Sequence, residues 1–142
     1  MVSEPVLSKI LSKDKRSEIN FDMNNEWKKV FKDDKGFPQS TLIVKENLIK
    51  EEPEFISAFI NKLENSIEFI YSKNPVKEEY IIGSKITIDL SVLDEILKRV
   101  NIKFISADNS RETYRLYFEN IKKINSKAIG GKIPNEKIFI SK

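Results

Sequence analysis

Six large apolar side chains recur at intervals of three and four residues in one segment, and this spacing constrains the fold more than any other feature. The segment follows Pro53, a residue favoured in the first turn of a helix, and Asn74-Pro75 ends the pattern. A single apolar stripe is typical of an amphipathic helix that packs against other residues along one face. The sequence therefore predicts a helix from Pro53 to about Lys73, with a stripe formed by Ile56, Phe59, Ile60, Leu63, Ile67 and Ile70.

Similar spacing predicts several shorter helices on both sides of this one. The last of them begins at Asn109 with Glu112 three residues later, which is the pattern of a capping box. Its aromatic side chains fall on one helical face, so we interpret them as packing residues rather than as stacking partners for a ligand ring. One predicted helix follows a cap at Ser3, with Glu4 and Pro5 in its first turn, and runs to Leu11. A second follows a cap at Asn24 or Asn25 and a third follows a cap at Asp89 or Ser91, and the others cover residues 46–51, 76–82 and 109–124.

Three other segments are rich in β-branched and aromatic residues and have the length of short strands. They cover residues 17–23, 40–45 and 102–107, and the second of them predicts a buried strand. The sequence therefore predicts a single α/β domain over residues 1–142, mostly helical, with two or three short strands.

The chain contains neither cysteine nor histidine. Histidine is the commonest general base and transition-metal ligand, and cysteine is needed for disulfides and thiolate metal sites. Ser-His-Asp, Cys-His and zinc-hydrolase chemistry are therefore excluded within this chain. The remaining polar residues show no catalytic spacing, and Asp33-Asp34 lacks further oxygen ligands at fixed spacing. We therefore expect no enzyme activity, no cofactor and no metal site.

The charged residues are balanced and well interspersed. The chain has 25 basic and 22 acidic residues and a net charge of +3, which is too weak and too mixed to indicate nucleic-acid binding. No apolar run approaches the roughly 20 residues that span a bilayer. The first residues lack the basic start and the apolar segment of a signal peptide. Two interpretations stay open: a cytoplasmic protein, or a sequence that begins after an export signal.

Two groups of polar residues are candidates for a binding site. Glu4 precedes Pro5, and Gln39, Ser40 and Thr41 precede or begin the predicted buried strand. Both positions suit a ligand cleft, because strand ends often line clefts in α/β proteins. Both also have a structural interpretation, since an acid and a proline are favoured in the first turn of a helix and polar residues are common in loops. The residues alone favour the structural interpretation and leave the other open.

Two adjacent glycines and a proline follow the last predicted helix. Gly130 and Gly131 permit positive φ and a sharp reversal, and Pro134 prevents continuation of the helix. Gly130-Gly131-Lys132 superficially resembles a phosphate loop, but the earlier glycine, the Ser or Thr after the lysine and the strand-to-helix context are missing. We therefore predict an ordered structural turn.

Several segments, taken in order, resemble one family of transport proteins. Residues 4–7 resemble an acidic-Pro pair at a ligand cleft, and residues 37–44 resemble a hinge strand that returns to a first lobe. Residues 47–56 resemble the start of the long helix after that hinge, and residues 99–107 and 129–134 resemble closing segments of one branch. Together they resemble the C-terminal part of substrate-binding proteins of ABC transporters, in the nitrate, sulfonate and thiamine-precursor class with a type II periplasmic-binding-protein-like fold.

This resemblance implies a binding function without catalysis. It implies the end of a second lobe at about residues 1–38, a hinge strand at about 39–45 and the C-terminal part of a first lobe at about 46–142. Such proteins close two lobes on a small polar molecule, here of the sulfonate, nitrate-like or pyrimidine class, and act with an ABC permease outside the cytoplasm. The residues that would contact the ligand are Glu4, Gln39, Ser40 and Thr41.

An alternative function follows from the same resemblance. A chain that holds only part of a two-lobed fold exposes surfaces that the remainder would cover, and exposed apolar surface favours self-association. The alternative is a stand-alone, self-associating structural or interaction module without ligand binding. Its expected partner is a second copy of the chain in a homodimer.

Overall fold

Helical structure accounts for 63% of the computed structural model, which describes residues 1–84 and 88–139. The described residues form seven α-helices and three short 3₁₀ turns. The helices are α1 (Val6–Lys13), α2 (Met23–Phe31), α3 (Glu46–Glu51), α4 (Pro53–Tyr71), α5 (Lys77–Gly83), α6 (Leu93–Val100) and α7 (Ala107–Asn125). The 3₁₀ turns are Leu90–Val92, Ser126–Ile129 and Glu136–Ile138.

The long helix predicted from the apolar stripe is confirmed as α4. Pro53 lies in its first turn, where the missing N–H of proline costs no intrahelical hydrogen bond. The chain becomes extended at Ser72, whose N–H donates to the carbonyl of Phe69. The helix therefore ends just before Asn74-Pro75, because proline disfavours helical backbone in the residue before it.

The predicted start of the last helix is wrong by two residues. α7 begins at Ala107, and its N-cap is Ser106, whose side chain accepts a hydrogen bond from the N–H of Asn109 at 3.4 Å. Serine is as good an N-cap as asparagine. Ser106 precedes Asn109 in the chain and already accepts from the N–H of Asn109, so the helix begins before the predicted cap. Glu112 does not complete a capping box and instead forms an ion pair with Arg115 at 2.5 Å.

The predicted α/β class is wrong, because the part of the chain that the structure describes contains no strand. The predicted strand segments 17–23, 40–45 and 102–107 form no ladder, and the hinge strand expected at about 39–45 is among them. The last residues of the first and third segments, Met23 and Ala107, begin α2 and α7 instead. Ile43, predicted to be buried, is 86% exposed. A β-branched run favours extended backbone, but a strand also needs a second segment to pair with, and local sequence does not supply one.

The chain divides into two compact units. The first unit comprises Met1–Ile19 and Val44–Phe104, and therefore holds α1 and α3 to α6. The second unit comprises Asn20–Ile43 and Ile105–Lys142, and holds α2 and α7. The predicted lobe boundaries near residues 38 and 46 stay predictions.

The first unit is centred on α6. Leu93 and Ile96 on this helix are buried, as is Ser8 on α1. The hydroxyl of Tyr71, at the end of α4, accepts a hydrogen bond from the N–H of Ile102 at 2.8 Å and lies 3.2 Å from the carbonyl of Leu97, to which it donates. These bonds fix the last turn of α4 beside the end of α6.

The second unit is built on α7 and an aromatic cluster. The ring of Trp27 on α2 lies 4.3 Å from that of Phe31 and 6.0 Å from that of Tyr117 on α7. Aromatic pairs at these distances stabilise a unit beyond their burial alone. The contacts confirm that the aromatic face of α7 serves packing.

The predicted structural turn after α7 is also confirmed. Gly130 and Gly131 have φ of +66° and +80°, and the N–H of Gly131 donates to the carbonyl of Ser126 at 2.8 Å. Left-handed backbone of this kind favours glycine, because it has no Cβ. The turn therefore closes α7 with hydrogen bonds of the main chain.

Replacing Gly36 by alanine is expected to destabilise the second unit by about 2 kcal/mol. Gly36 has φ of +82°, and a Cβ there would lie 1.9 Å from Oδ1 of Asn24. Gly130→Ala is the matched control, since it has the same sign of φ and open space around it, and should cost about 1 kcal/mol. Urea unfolding followed by the fluorescence of Trp27 measures both, and equal losses would contradict the predicted clash.

Candidate functional site

Glu4, the first candidate ligand residue, lies in the first unit and its carboxylate is engaged within that unit. Its side chain is only 8% exposed. Oε1 accepts a hydrogen bond from Nε of Arg99 at 2.8 Å, and Oε2 accepts one from the N–H of Ser8 at 3.1 Å. The second of these bonds satisfies an amide in the first turn of α1, which otherwise lacks an intrahelical partner.

Arg99 extends this contact into a network between α1 and α6. Its Nη2 donates to Oγ of Ser8 at 3.0 Å, and its Nη1 donates to Oε2 of Glu95 at 3.3 Å. The side chain of Arg99 is 25% exposed, and its guanidinium contacts Glu4 and Glu95. Guanidinium–carboxylate contacts of this kind are directional, so the network fixes the position of α1 on α6.

The pKa of Glu95 is lowered by a hydrogen bond from Lys98, with a smaller lowering from the positive charge of Arg99. A carboxyl group with a lowered pKa contributes stability above its pKa in the unfolded chain, about 4.3 for glutamate. That contribution is lost as the pH falls through the lower pKa of the folded chain. The contacts of the Glu95 carboxylate with Lys98 and Arg99 therefore contribute at neutral pH.

Gln39, Ser40 and Thr41 lie in the second unit, in a segment without regular structure, and all three are exposed. Thr41 is held against α7 by a hydrogen bond between its hydroxyl and that of Tyr114. Nearby, Nζ of Lys35 donates to the carbonyl of Asn109 at 2.7 Å. The structure therefore places Thr41 against α7, next to the exposed Gln39 and Ser40, and places Glu4 in the other unit.

A cleft of about 300 Å³ is present in the first unit beside the end of α4. Both of its lysines have partners: Lys77 lies 3.5 Å from Asp94, and Lys98 lies 2.9 Å from Glu95. The hydroxyl of Tyr71 is engaged by the carbonyl of Leu97 and the N–H of Ile102. The cleft thus presents groups that are already paired with one another.

Two features of the first unit were missed by sequence reasoning. Arg99 is the partner of Glu4, but 95 positions separate them, and no local pattern connects two residues so far apart. The second feature is the incomplete burial of α4, on which no residue is buried. A sequence signal for it was present, since Phe55 and Ala58 lie outside the predicted stripe and give the helix more than one apolar side.

No cluster of three or more metal-binding side chains occurs within residues 1–84 and 88–139. Of the helices in those ranges, none combines the length and the apolar character needed to cross a membrane. No family model, no curated protein and no solved structure matches this chain. The resemblance to ABC-transporter binding proteins stays a prediction, together with the ligand class, the permease and the compartment that it implies.

Proposed function

We propose that this chain is a self-associating interaction module whose partner is a second copy of itself. The observation that carries the proposal is the surface of the chain, which has an accessible area of 11294 Å². A compact monomer of this mass exposes about 7,500 Å². The chain therefore exposes far more surface than a compact monomer does.

The division into two units does not account for this difference. Two separate compact bodies, each of about half the mass, would together expose about 9,100 Å². This value is an upper limit for two compact units, because any contact between them would lower it. An excess of about 2,200 Å² is left over.

The exposed surface is rich in large apolar side chains in both units. Phe55 and Tyr80 are exposed in the first unit, and Ile43 and Ile124 are 86% and 87% exposed in the second. Single exposed apolar residues are ordinary, but this chain has only two buried apolar side chains in the residues that the structure describes. Burial of such surface is the main favourable term in association.

The size of the excess supports a second copy as the partner. Obligate homodimers bury roughly 2,000–5,000 Å² in total, or roughly 1,000–2,500 Å² on each chain. An excess of about 2,200 Å² per chain lies within that range. In a two-fold homodimer the same surface of both copies forms the contact. Each copy therefore covers the surface of the other, and no second contact surface is left exposed.

Sedimentation equilibrium over a wide range of protein concentration tests the proposal. We expect a mass of twice the 16.5 kDa of the chain, falling towards 16.5 kDa only on dilution. A mass of 16.5 kDa at every concentration, with unchanged helical circular dichroism, would overturn the proposal. A small sulfonate or pyrimidine added to the sample should leave the mass unchanged, because association does not require a ligand.

A further inference from the structure

The apolar stripe of α4 has a two-fold pattern about Leu63. Ile56 and Ile70 lie seven residues before and after it. Phe59 and Ile67 lie four residues away on either side, and Ile60 and Ser66 lie three residues away. With 3.6 residues per turn, positions three, four and seven residues apart share one face of a helix. The face therefore presents nearly the same pattern in both chain directions.

A face with this pattern is complementary to itself when two helices run in opposite directions. A two-fold axis through Leu63 brings Leu63 against Leu63 of the second copy and Ile56 against Ile70 of the second copy. It also brings the large ring of Phe59 beside the small Ser66 of the second copy. Large side chains beside small ones interdigitate at the usual packing density of protein interiors.

A parallel pair of the same helices packs less well. In that arrangement each residue meets its own equivalent, so Phe59 faces Phe59 and Ser66 faces Ser66. Two phenylalanine rings would be too large for the space between the helices at the level of residue 59, and two serines would leave a gap at the level of residue 66. The antiparallel arrangement avoids both defects.

The structure leaves this face only partly covered. No residue of α4 is buried, Phe59 is 45% exposed, and the other five residues of the stripe, including Leu63 in its middle, are half-buried. The hydrogen bonds of Tyr71 fix the C-terminal end of the helix to α6. A helix of 19 residues is only marginally stable without packing along its apolar face. Covering the part of this face that is still exposed would therefore stabilise the helix further.

We propose that two copies of this chain pair through α4, antiparallel, with Leu63 on the two-fold axis. This inference rests on the proposed self-association and specifies the surface that carries it. The excess exposed area of about 2,200 Å² belongs to the whole chain, and pairing through α4 would cover part of it. The two-fold axis makes the contact isologous, so the dimer closes and does not extend into a filament.

Cysteine cross-linking tests this arrangement, and the chain is suited to it because it contains no cysteine of its own. Leu63→Cys should form a disulfide-linked dimer under mild oxidation, because the two Cα atoms face each other across the axis within bonding reach. Ile56→Cys alone should stay unlinked, because its two copies lie about 21 Å apart along the helix. A mixture of Ile56→Cys and Ile70→Cys should cross-link, and Asn65→Cys, on the opposite side of α4, should not.

The possible outcomes separate this inference from the proposed function. Efficient self-linking of both Leu63→Cys and Ile56→Cys would show a parallel pair and overturn the antiparallel arrangement. A dimeric mass without cross-linking at Leu63 or in the mixed pair would overturn the role of α4 and leave self-association standing. A monomeric mass of the unsubstituted chain would overturn both. Circular dichroism of each variant confirms that it has folded before the gels are compared.

Discussion

Replacing Arg99 by alanine is expected to lower the free energy of unfolding of the first unit by about 3 kcal/mol. The change leaves the carboxylate of Glu4 buried without the cation that lies 2.8 Å from it. An unpaired buried charge costs more than the ion pair itself contributes, because desolvation is no longer offset. Urea unfolding followed by far-UV circular dichroism measures the loss.

Two further variants establish the cause of that loss. The double variant Glu4→Leu with Arg99→Leu leaves no buried charge without a partner. We therefore expect its free energy of unfolding to fall by less than that of Arg99→Ala alone. Arg16→Ala is the control, because Arg16 and its partner Asp14 are both exposed, and its unfolding midpoint should stay unchanged. If Arg99→Ala unfolds at the same urea concentration as Arg16→Ala, the network between α1 and α6 does not stabilise the chain.

Replacing Trp27 by alanine is expected to destabilise the second unit by about 2 kcal/mol, less than for a fully buried ring because Trp27 is only half-buried. The change removes ring contacts with Phe31, Phe37 and Tyr117 at 4.3, 6.3 and 6.0 Å. It also removes the donor to Oδ2 of Asp33, which lies 3.4 Å from Nε1. Circular dichroism must follow this unfolding, because the chain has no other tryptophan.

Phe21→Ala is the matched control for Trp27, since it truncates another aromatic side chain of the second unit. Phe21 is 78% exposed, so its loss should change stability by less than about 0.5 kcal/mol. If the two variants lose the same stability, the cluster around Trp27 is not what stabilises the unit.

The helices of this chain were predictable because their signal is local. In α4, Pro53, the stripe and Asn74-Pro75 all lie within about 20 residues, and each agrees with the others. The first residue of α7 was missed because Ser106 and Asn109 are both good N-caps, and sequence alone does not rank them. Boundaries are therefore less certain than the helices themselves.

The strands were mispredicted because strand formation depends on contacts beyond the segment. The run that ends at Val44 favours extended backbone, and the structure leaves it without a ladder. Hydrogen bonds of a sheet join residues that are distant in sequence, and nothing in residues 40–45 specifies their partner. The α/β class was inferred from three such segments, each considered without a partner, and the absence of a ladder in the described residues overturns it.

The candidate site was predictable only in part, for a similar reason. Glu4 was identified as a candidate ligand residue, but its partner Arg99 and the resulting network between α1 and α6 were not predicted. The stripe of α4 was identified as a packing face, but periodicity does not state which surface covers it. A face covered by the same chain and a face covered by a second copy produce the same sequence pattern.

Hydrogen exchange of the α4 amides at high and low protein concentration tests the central claim most directly. If a second copy covers this helix, the amides of residues 55–71 exchange slowly at high concentration and faster on dilution, while those of α7 change much less. Exchange of the α4 amides at one rate across all concentrations would contradict the account.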